Sequence, residues 1–532
     1  MERMGLALGL RKWVKIIYSG LSSRVLVNRH LTEPFPVRSG VRQGCPLSAL
    51  LYVLCLEPFM QAIRRDVRVT GFHLPGSGGE QLKALAYMDD VAVVCTDAPS
   101  VARVEELLDG FCRATGAAVN KAKSEVYLSR AWPVGRGPPT VFPVKPFIKV
   151  LGITIDGTNT GTRSWEEAIA KVQRKIHGWS TRTLTMAGKV LVIKAILFPI
   201  LLYVGMIFPP DKVIAKLVTR IIFRFVWGSK MERLKRVQMV KGTLDGGRGV
   251  PDVVRLIKAQ GLAYVVKNIQ AAGKKVSFMN RFYFASSLRP FGLCAMDNTR
   301  PHSWDPPPFY RALRAFALEV GLHKVVLASW DYKTICSQMR STQETSRIED
   351  FPPETCRFIW ANATHVCLTN TQKDVSWMAV SRCLPTRVFM HRRGIAPYDT
   401  CPYKGCLGKE TEAHIFSECP SAHRVWLLFS PFLHRFAVPA RATAQQILYG
   451  PAKGISTSTL RCWWRVVCAV KQALWEGRNI CLFNKQELDP IVIARRGMVF
   501  VKDYVNLEVH QRGKEEAFKN WRIQDLGELR IP

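Results

Sequence analysis

At residue 164 the apolar residues change their period, and this change limits the possible folds more than any single motif does. Up to about residue 155, short apolar runs alternate with turn punctuation such as "PGSGG" (Pro75 to Gly79) and "WPVGRGPP" (Trp132 to Pro139), which reads as α+β. From 164 on, Trp165, Ile169, Val172, Ile176 and Trp179 recur at spacings of four and three, one apolar stripe on a helix, with Ser164 and Glu167 as a Ser-x-x-Glu capping box. The pattern stays helical to a glycine cluster, "LDGGRGVPD" (Leu244 to Asp252), followed by a Pro-, Ser- and aromatic-rich connector at 286–310. Trp-rich amphipathic segments come after it, including a helix through Trp464, Val467, Cys468 and Trp475. The expected segments are therefore 1–155, 156–260, 261–375, 376–430 and 431–532. A chain of 532 residues can bury a core in several of them.

The charge balance points to the partner. Against 41 Asp and Glu stand 76 Lys and Arg, a net charge of +35, which calls for a polyanion. Nucleic acid comes first, because phosphate neutralisation with counterion release gives strong binding without sequence readout. A membrane partner is not expected: there is no lipidation signal or long basic amphipathic helix, and "AILFPILLYVGMIF" (Ala195 to Phe208) reads as a core element. The start, "MERMGLALGLRKW", is too short in its apolar stretch for a signal peptide, so an intracellular location, cytoplasmic and nuclear, is expected. Most of the 15 cysteines are scattered in apolar surroundings, as at Cys45, Cys55, Cys95 and Cys468, and read as reduced, buried thiols.

Two stretches carry chemistry. In "ALAYMDDVAVVCTD" (Ala84 to Asp97) two strand-like runs flank Asp89 and Asp90 at the tip of a tight hairpin. Carboxylates about 4 Å apart repel by roughly 4 kcal/mol at an effective dielectric near 20. Either both face water in a solvated turn, or a hard divalent cation such as Mg²⁺ sits between them, where a metal pair can clamp the oxygens of a phosphoryl transfer. In "CPYKGCLGKETEAHIFSEC", Cys401, Cys406, His414 and Cys419 have the spacing C-x4-C-x7-H-x4-C, three thiolates and one imidazole that can close a tetrahedral structural Zn²⁺ site. The alternative is a reduced surface cluster. On so basic a chain a zinc knuckle fits RNA or single-stranded DNA, with Tyr403, His391 and Arg392 offering stacking and phosphate contacts. Upstream, "SGVRQGCPLSALLYVLCLEPF" (Ser39 to Phe59) runs from a polar glycine-bearing turn into an apolar helix. Gly40 and Gly44 allow close backbone approach there, and Arg42 and Gln43 can hydrogen-bond a backbone or base edge.

Taken in order, "VRQGCPLS" (Val41 to Ser48), "AYMDD", "NKAKSEVYL" (Asn120 to Leu128) and "VLGITI" (Val150 to Ile155) resemble the motif series of reverse transcriptases of LINE-type non-LTR retrotransposons. The likeness continues through "GWSTRTLTMAGKVLVIKAILFPILLY" (Gly178 to Tyr203), "GGRGVPD", "SRCLPTRVFMHRRG" (Ser381 to Gly394) and "CPSAHRVW" (Cys419 to Trp426). It implies an α+β chain with a partial palm bearing the YMDD hairpin in 1–155, a helical thumb in 156–260, a connector and helical region in 261–375, a zinc-knuckle segment in 376–430 and a C-terminal helical region. It also implies roles. Asp89 would ligate catalytic Mg²⁺ with Asp90 as companion. Tyr87 and Met88 would line the primer end and incoming nucleotide, while Arg42, Gln43 and Gly44 would position RNA template and nucleotide. Lys123 would lie near the triphosphate, and Leu151 to Ile153, Gly152 included, would form a strand gripping the DNA primer. The family also supplies a third acid well before the Arg-Gln-Gly motif, and none of Glu2, Glu33, Glu57, Asp66 and Glu80 stands in that context. By the resemblance the chain is therefore expected to lack the fingers, the first half of the palm and the usual endonuclease domain. It leads to the expectation of an RNA-directed DNA polymerase that is inactive alone, or of a non-catalytic binder of RNA and single-stranded DNA.

Overall fold

The computed structural model describes the whole chain except residues 38–39, 42–44, 130–131, 133–136, 159, 272–274, 286, 289–305, 342–343, 349–350, 437–441, 452 and 532. Its contacts divide into two compact units. The first comprises Met1–Ser164 and Val265–Arg311, the second Trp165–Tyr264 and Ala312–Pro532. The expected connector thus contributes to the first unit, although much of 286–310 lies outside the described residues.

Twelve short strands precede residue 157, and among the described residues they pair only in twos. These are β1 (Ser22–Ser23) with β4 (Phe35–Pro36), β2 (Leu26–Val27) with β3 (His30–Leu31), β5 (Phe72–His73) with β6 (Gln81–Leu82), and β7 (Ala84–Tyr87) with β8 (Asp90–Val93), all antiparallel. β9 (Val126–Tyr127) and β10 (Val144–Lys145) are parallel, and β11 (Phe147–Val150) and β12 (Ile153–Asp156) are antiparallel.

The helices in chain order are α1 (Leu8–Tyr18), α2 (Pro46–Arg65), α3 (Ala98–Thr115), α4 (Thr162–Ser180), α5 (Met186–Val192), α6 (Phe198–Gly205), α7 (Lys212–Trp227), α8 (Arg236–Val240), α9 (Val253–Gln270) and α10 (Lys275–Tyr283). They continue as α11 (Pro308–Glu319), α12 (Tyr332–Ser341), α13 (Pro353–Ala363), α14 (Asn370–Val380), α15 (Arg387–His391), α16 (Pro420–Leu433), α17 (Ala444–Tyr449), α18 (Ser458–Asn479), α19 (Pro490–Arg512) and α20 (Lys514–Trp521). The class is α+β, with the helical weight where the period changes.

The core of the first unit is small. α2 lays Leu56, Phe59, Met60 and Ile63 against Val69 and Ala84, and Val104, Leu107, Leu108 and Phe111 of α3 close over them. Phe59 and Phe111 stack at 5.2 Å between centroids. Asp97 caps α3 by accepting from Ser100 N–H at 2.8 Å, and Arg103 Nε reaches back to Asp66 at the end of α2, at 2.7 Å. By contrast α1 buries nothing, and its Trp13 is 64% exposed. Cys55 is exposed on α2 and Cys45 and Cys95 are half-buried, so of the four thiols expected in a core only Cys468 is there. Burial pushes the Cys95 thiol up to about 11.

The second unit has a continuous core around α18. That helix packs against α14, α16 and α19, and Trp463, Trp464, Val467, Cys468 and Val470 are all buried within it. Seven tryptophans, Trp165, Trp330, Trp360, Trp377, Trp463, Trp464 and Trp521, are essentially fully buried. Several satisfy their indole N–H on backbone carbonyls: Trp464 on Asn362 at 2.9 Å, Trp360 on Ser346 at 2.9 Å and Trp377 on Gly246 at 3.0 Å. The last bond explains the glycine cluster. A Cβ on Gly246 would stand 2.7 Å from Trp360, and one on Gly247 2.0 Å from the Lys241 carbonyl. The neighbouring Arg248 pairs with Asp374 of α14, whose second oxygen accepts from Met186 N–H at 2.8 Å.

Two sequence expectations change. Ser164 is inside α4 and not its cap, because the helix starts at Thr162; its hydroxyl instead accepts from Thr154 N–H at 2.9 Å and holds β12. Leu151 and Gly152 form the two-residue turn of the β11–β12 hairpin and not a strand. Both have positive φ (48° and 80°), as a primed hairpin turn requires. The apolar stretch from Ala195, expected as a core element, is helical as far as Gly205, with an i→i+5 segment at Ile193–Leu197 just before Pro199, where the missing N–H interrupts the ladder. Pro46–Arg65 and Met186–Gly205 are long and apolar enough by length and composition to cross a membrane, and a third of each stretch is buried inside the protein.

Candidate functional site

The hairpin that carries the acid pair has Tyr87 opposite Asp90, with Met88 and Asp89 as its turn. Met88 takes a left-handed backbone at φ 54°, a conformation that a side chain rarely adopts outside a tight turn. Tyr87, Met88, Asp89 and Asp90 are all exposed, and so are Leu85 and Val91 on the flanking strands, where a half-buried pleat was expected. The support comes from α2, which packs on β7. Asp89 faces this helix closely enough that its charge, second to burial, raises the Tyr52 hydroxyl above its ordinary range.

No third metal-ligating side chain joins Asp89 and Asp90 among the described residues. Four of the five upstream acids, all but Glu33, are engaged elsewhere. Glu2 pairs with Arg11 at 2.6 Å, Glu57 with Arg64 at 3.4 Å, Asp66 with Arg103 and with Arg68 at 3.2 Å, and Glu80 with Lys275 at 3.8 Å. Hydrogen bonds from Arg103, then Arg68, hold the Asp66 carboxyl well below the usual carboxylate range.

Of the remaining residues expected beside the hairpin, Arg42, Gln43 and Gly44 lie outside the described residues. Lys123 is exposed in a turn and its N–H donates to the Asn120 carbonyl at 3.0 Å. Leu151 and Gly152 belong to a separate two-stranded sheet, so no strand ladder joins them to Asp89 and Asp90.

The cysteine cluster does converge. One donor atom from each of Cys401, Cys406, His414 and Cys419 lies within 4.8 Å of the other three. Cys401 Sγ is 4.0 Å from Cys419 Sγ, and Cys406 Sγ is 3.4 Å from His414 Nε2. Zinc–sulfur bonds near 2.3 Å in a tetrahedron put two sulfurs about 3.8 Å apart, so the spacing fits the ion. Three local features build it. Residues His414–Glu418 form an i→i+5 turn in which Cys419 N–H donates to the His414 carbonyl at 2.8 Å, so a histidine and a cysteine five apart face one centre. Gly408 passes over the imidazole where a Cβ would be 2.4 Å from the ring, and Thr400 and Lys409 form a β-bridge that closes the loop.

Cys419 also precedes the first turn of α16. A hydrogen bond from Cys401, then N–H groups of Ser421 and Ala422, pull its thiol down to about 5, while Cys401 is raised by the proton it keeps. Tyr403, expected to stack on a base, is half-buried against the core with its hydroxyl unpaired, and burial raises it. Tyr398, 69% exposed, offers the aromatic face instead, near exposed His391 and Arg392.

Sequence reasoning missed the buried charges around these sites. Lys471 of α18 is fully buried between Phe416 and Trp464, at 5.5 and 5.4 Å from their centroids, and burial pushes it down to about 8. Glu410 and Arg478 form an ion pair at 2.7 Å inside the core. A lysine at an apolar helix position is the one signal that could have found the first. Nothing in the spacing of Glu410 and Arg478 announces the second.

Residues 5–155 match the family described as reverse transcriptase (RNA-dependent DNA polymerase), and residues 332–426, which hold all four metal donors, match the one described as zinc-binding in reverse transcriptase. A relative, the transposon TX1 uncharacterized 149 kDa protein of Xenopus laevis, is 30% identical over 245 residues, which cover 45% of this chain and 18% of that protein. The chain therefore spans less than a fifth of that relative's length. The acid-pair hairpin thus lies inside a reverse transcriptase region and the Cys/His cluster inside a reverse-transcriptase zinc-binding region, and the two matches with the transposon relative support a retrotransposon reverse transcriptase with a C-terminal zinc-binding region.

Proposed function

We propose that this chain by itself grips RNA template, DNA primer and other single-stranded nucleic acid, and that its polymerase centre is incomplete. The hairpin tip presents two carboxylates, and among the described residues no third metal-ligating side chain joins them. That observation carries the reading. Asp89 and Asp90 would hold Mg²⁺, with Tyr87 and Met88 beside the primer end and Arg42, Gln43, Gly44, Lys123, Leu151 and Gly152 toward template, nucleotide and primer. When bound there, the ion supplies charge neutralisation at the oxygens of phosphoryl transfer. Two acids from one hairpin leave that ion without the carboxylate from a separate strand that a fixed geometry requires. Cys401, Cys406, His414 and Cys419 would hold structural zinc. The absence of disulfides among the described residues suits a reducing, intracellular compartment.

Primer extension on poly(rA) with Mg²⁺ tests this directly. Wild type and Asp89→Ala should give equal, background signal, whereas extension by wild type that Asp89→Ala abolishes would show a complete centre. Both should bind single-stranded RNA, with affinity dropping steeply between low and moderate salt as counterions are released. A flat salt response would argue against electrostatic binding.

A further inference from the structure

Glu410 lies midway in the metal loop, between Cys406 and His414, and it is fully buried. Its carboxylate accepts from Arg478 of α18 twice, from Nε at 2.9 Å and from Nη2 at 2.7 Å. Arg478 also donates to the Pro385 carbonyl at 3.1 Å. The same carboxylate accepts at 2.6 Å from the N–H of Arg387, the first residue of α15, a donor that a helix start leaves unsatisfied. The main chain of Glu410 joins in: its N–H donates to Asp399 at 2.9 Å, and its carbonyl accepts from Val388 N–H at 3.5 Å. One buried acid thus ties the metal loop to the start of α15. That helix leads into exposed His391, Arg392, Ile395 and Tyr398, with exposed Lys404 and Lys409 on the loop itself.

A buried ion pair is an inefficient way to stabilise a core, since apolar residues of like volume do as well or better. A positional role explains why the charge is there. We propose that Glu410 is a positioning residue through which the metal loop fixes α15, so that the grip of the basic segment 387–393 on single-stranded nucleic acid depends on metal loading. This rests on the nucleic-acid reading above. With the four donors gathered, Glu410 is held at the first turn of α15, and Arg392 and Tyr398 present a fixed phosphate contact and a base-stacking face. Without the metal the loop is released and Glu410 leaves with it.

The test uses the full zinc-loaded chain and a fluorescent single-stranded RNA. The double variant Glu410→Gln/Arg478→Met removes both buried charges and leaves the four donors. It should keep about one zinc equivalent, bind about 5- to 10-fold more weakly and lose about 0.7 to 1.4 from its log–log salt slope, equivalent to one or two phosphates. Full affinity with an unchanged slope would overturn the proposal. A second measurement does not depend on how the variant folds: hydrogen exchange of wild type before and after chelation. Amides of Val388 to Met390 should become nearly unprotected, while those of Val466 to Val470 keep the protection that the remaining stability of the unit sets. Unchanged protection at 388–390, or complete loss at both places together, would overturn the link. If zinc-loaded wild type binds no RNA, the nucleic-acid reading fails, and hydrogen exchange still decides for or against Glu410.

Discussion

The two units solve the problem of holding a functional side chain in opposite ways. In the first, the acid pair sits on a lone two-stranded hairpin that leaves Leu85, Tyr87, Met88 and Val91 exposed, supported from one side by α2. In the second, the metal donors lie against a core that contains the buried tryptophans Trp463, Trp464 and Trp521. A two-stranded hairpin is marginal in water unless more strands or a helix cover it, whereas a loop anchored to a packed core inherits the stability of that core. The lesson is that the polymerase motif and the zinc motif, equally plain as sequence, have unequal structural support.

The largest effect that would sharpen the contrast is metal removal. Chelation, or Cys401→Ser, should cost the second unit roughly 4–5 kcal/mol or more and release about one zinc equivalent. Calorimetry should show its transition falling while the transition of the first unit stays. Metal-free protein with unchanged unfolding would break the comparison.

Next is Asp374→Ala, which strands the Arg248 charge in the core and leaves Met186 N–H unpaired. About 3–5 kcal/mol of destabilisation is expected in urea unfolding of the second unit. A loss under 1 kcal/mol would mean that the glycine loop does not depend on α14.

Lys471 gives a smaller effect of known sign. Its folded pKa, about 8, lies below the unfolded value of 10.5, so the unfolded chain binds more protons between those values and stability rises with pH across that window. The gain should reach about 3 kcal/mol by pH 10.5. Lys471→Met should remove the rise and be neutral or stabilising at pH 7, as seen by comparing the two proteins from pH 7 to 10.5.

The smallest effect belongs to the first unit. Leu85→Lys on the exposed face of β7 should change stability by less than about 0.5 kcal/mol. A loss of 2 kcal/mol or more would show that this face is covered, and would remove the contrast between the units.

Much of this could be read before any coordinates. The stripe from Trp165 to Trp179 marks the helix because a 3.6-residue repeat allows one apolar face, and the two runs around Asp89 and Asp90 mark the hairpin because alternation allows one pleated face. The spacing of Cys401, Cys406, His414 and Cys419 announced a metal loop, because few other functions need four such donors within twenty residues. What could not be read is pairing at a distance. Leu151 and Gly152 look like strand residues until β11 and β12 are seen to pair around them, and Tyr403 looks available until α18 and the metal loop enclose it.

Local order in the chain therefore determined most of the elements, the acid pair and the donor set, since each depends on residues within a few turns of one another. Only the tertiary structure decided that Glu410 meets Arg478 and Arg387, that Asp374 meets Arg248 and Met186, and that Lys471 lies between Phe416 and Trp464. The physical reason is that a buried charge is set by partners on other elements, such as Phe416 for Lys471 and Arg478 for Glu410, that packing brings from far along the chain. Neither the charge nor its spacing along the chain says which of many such partners the packing will supply.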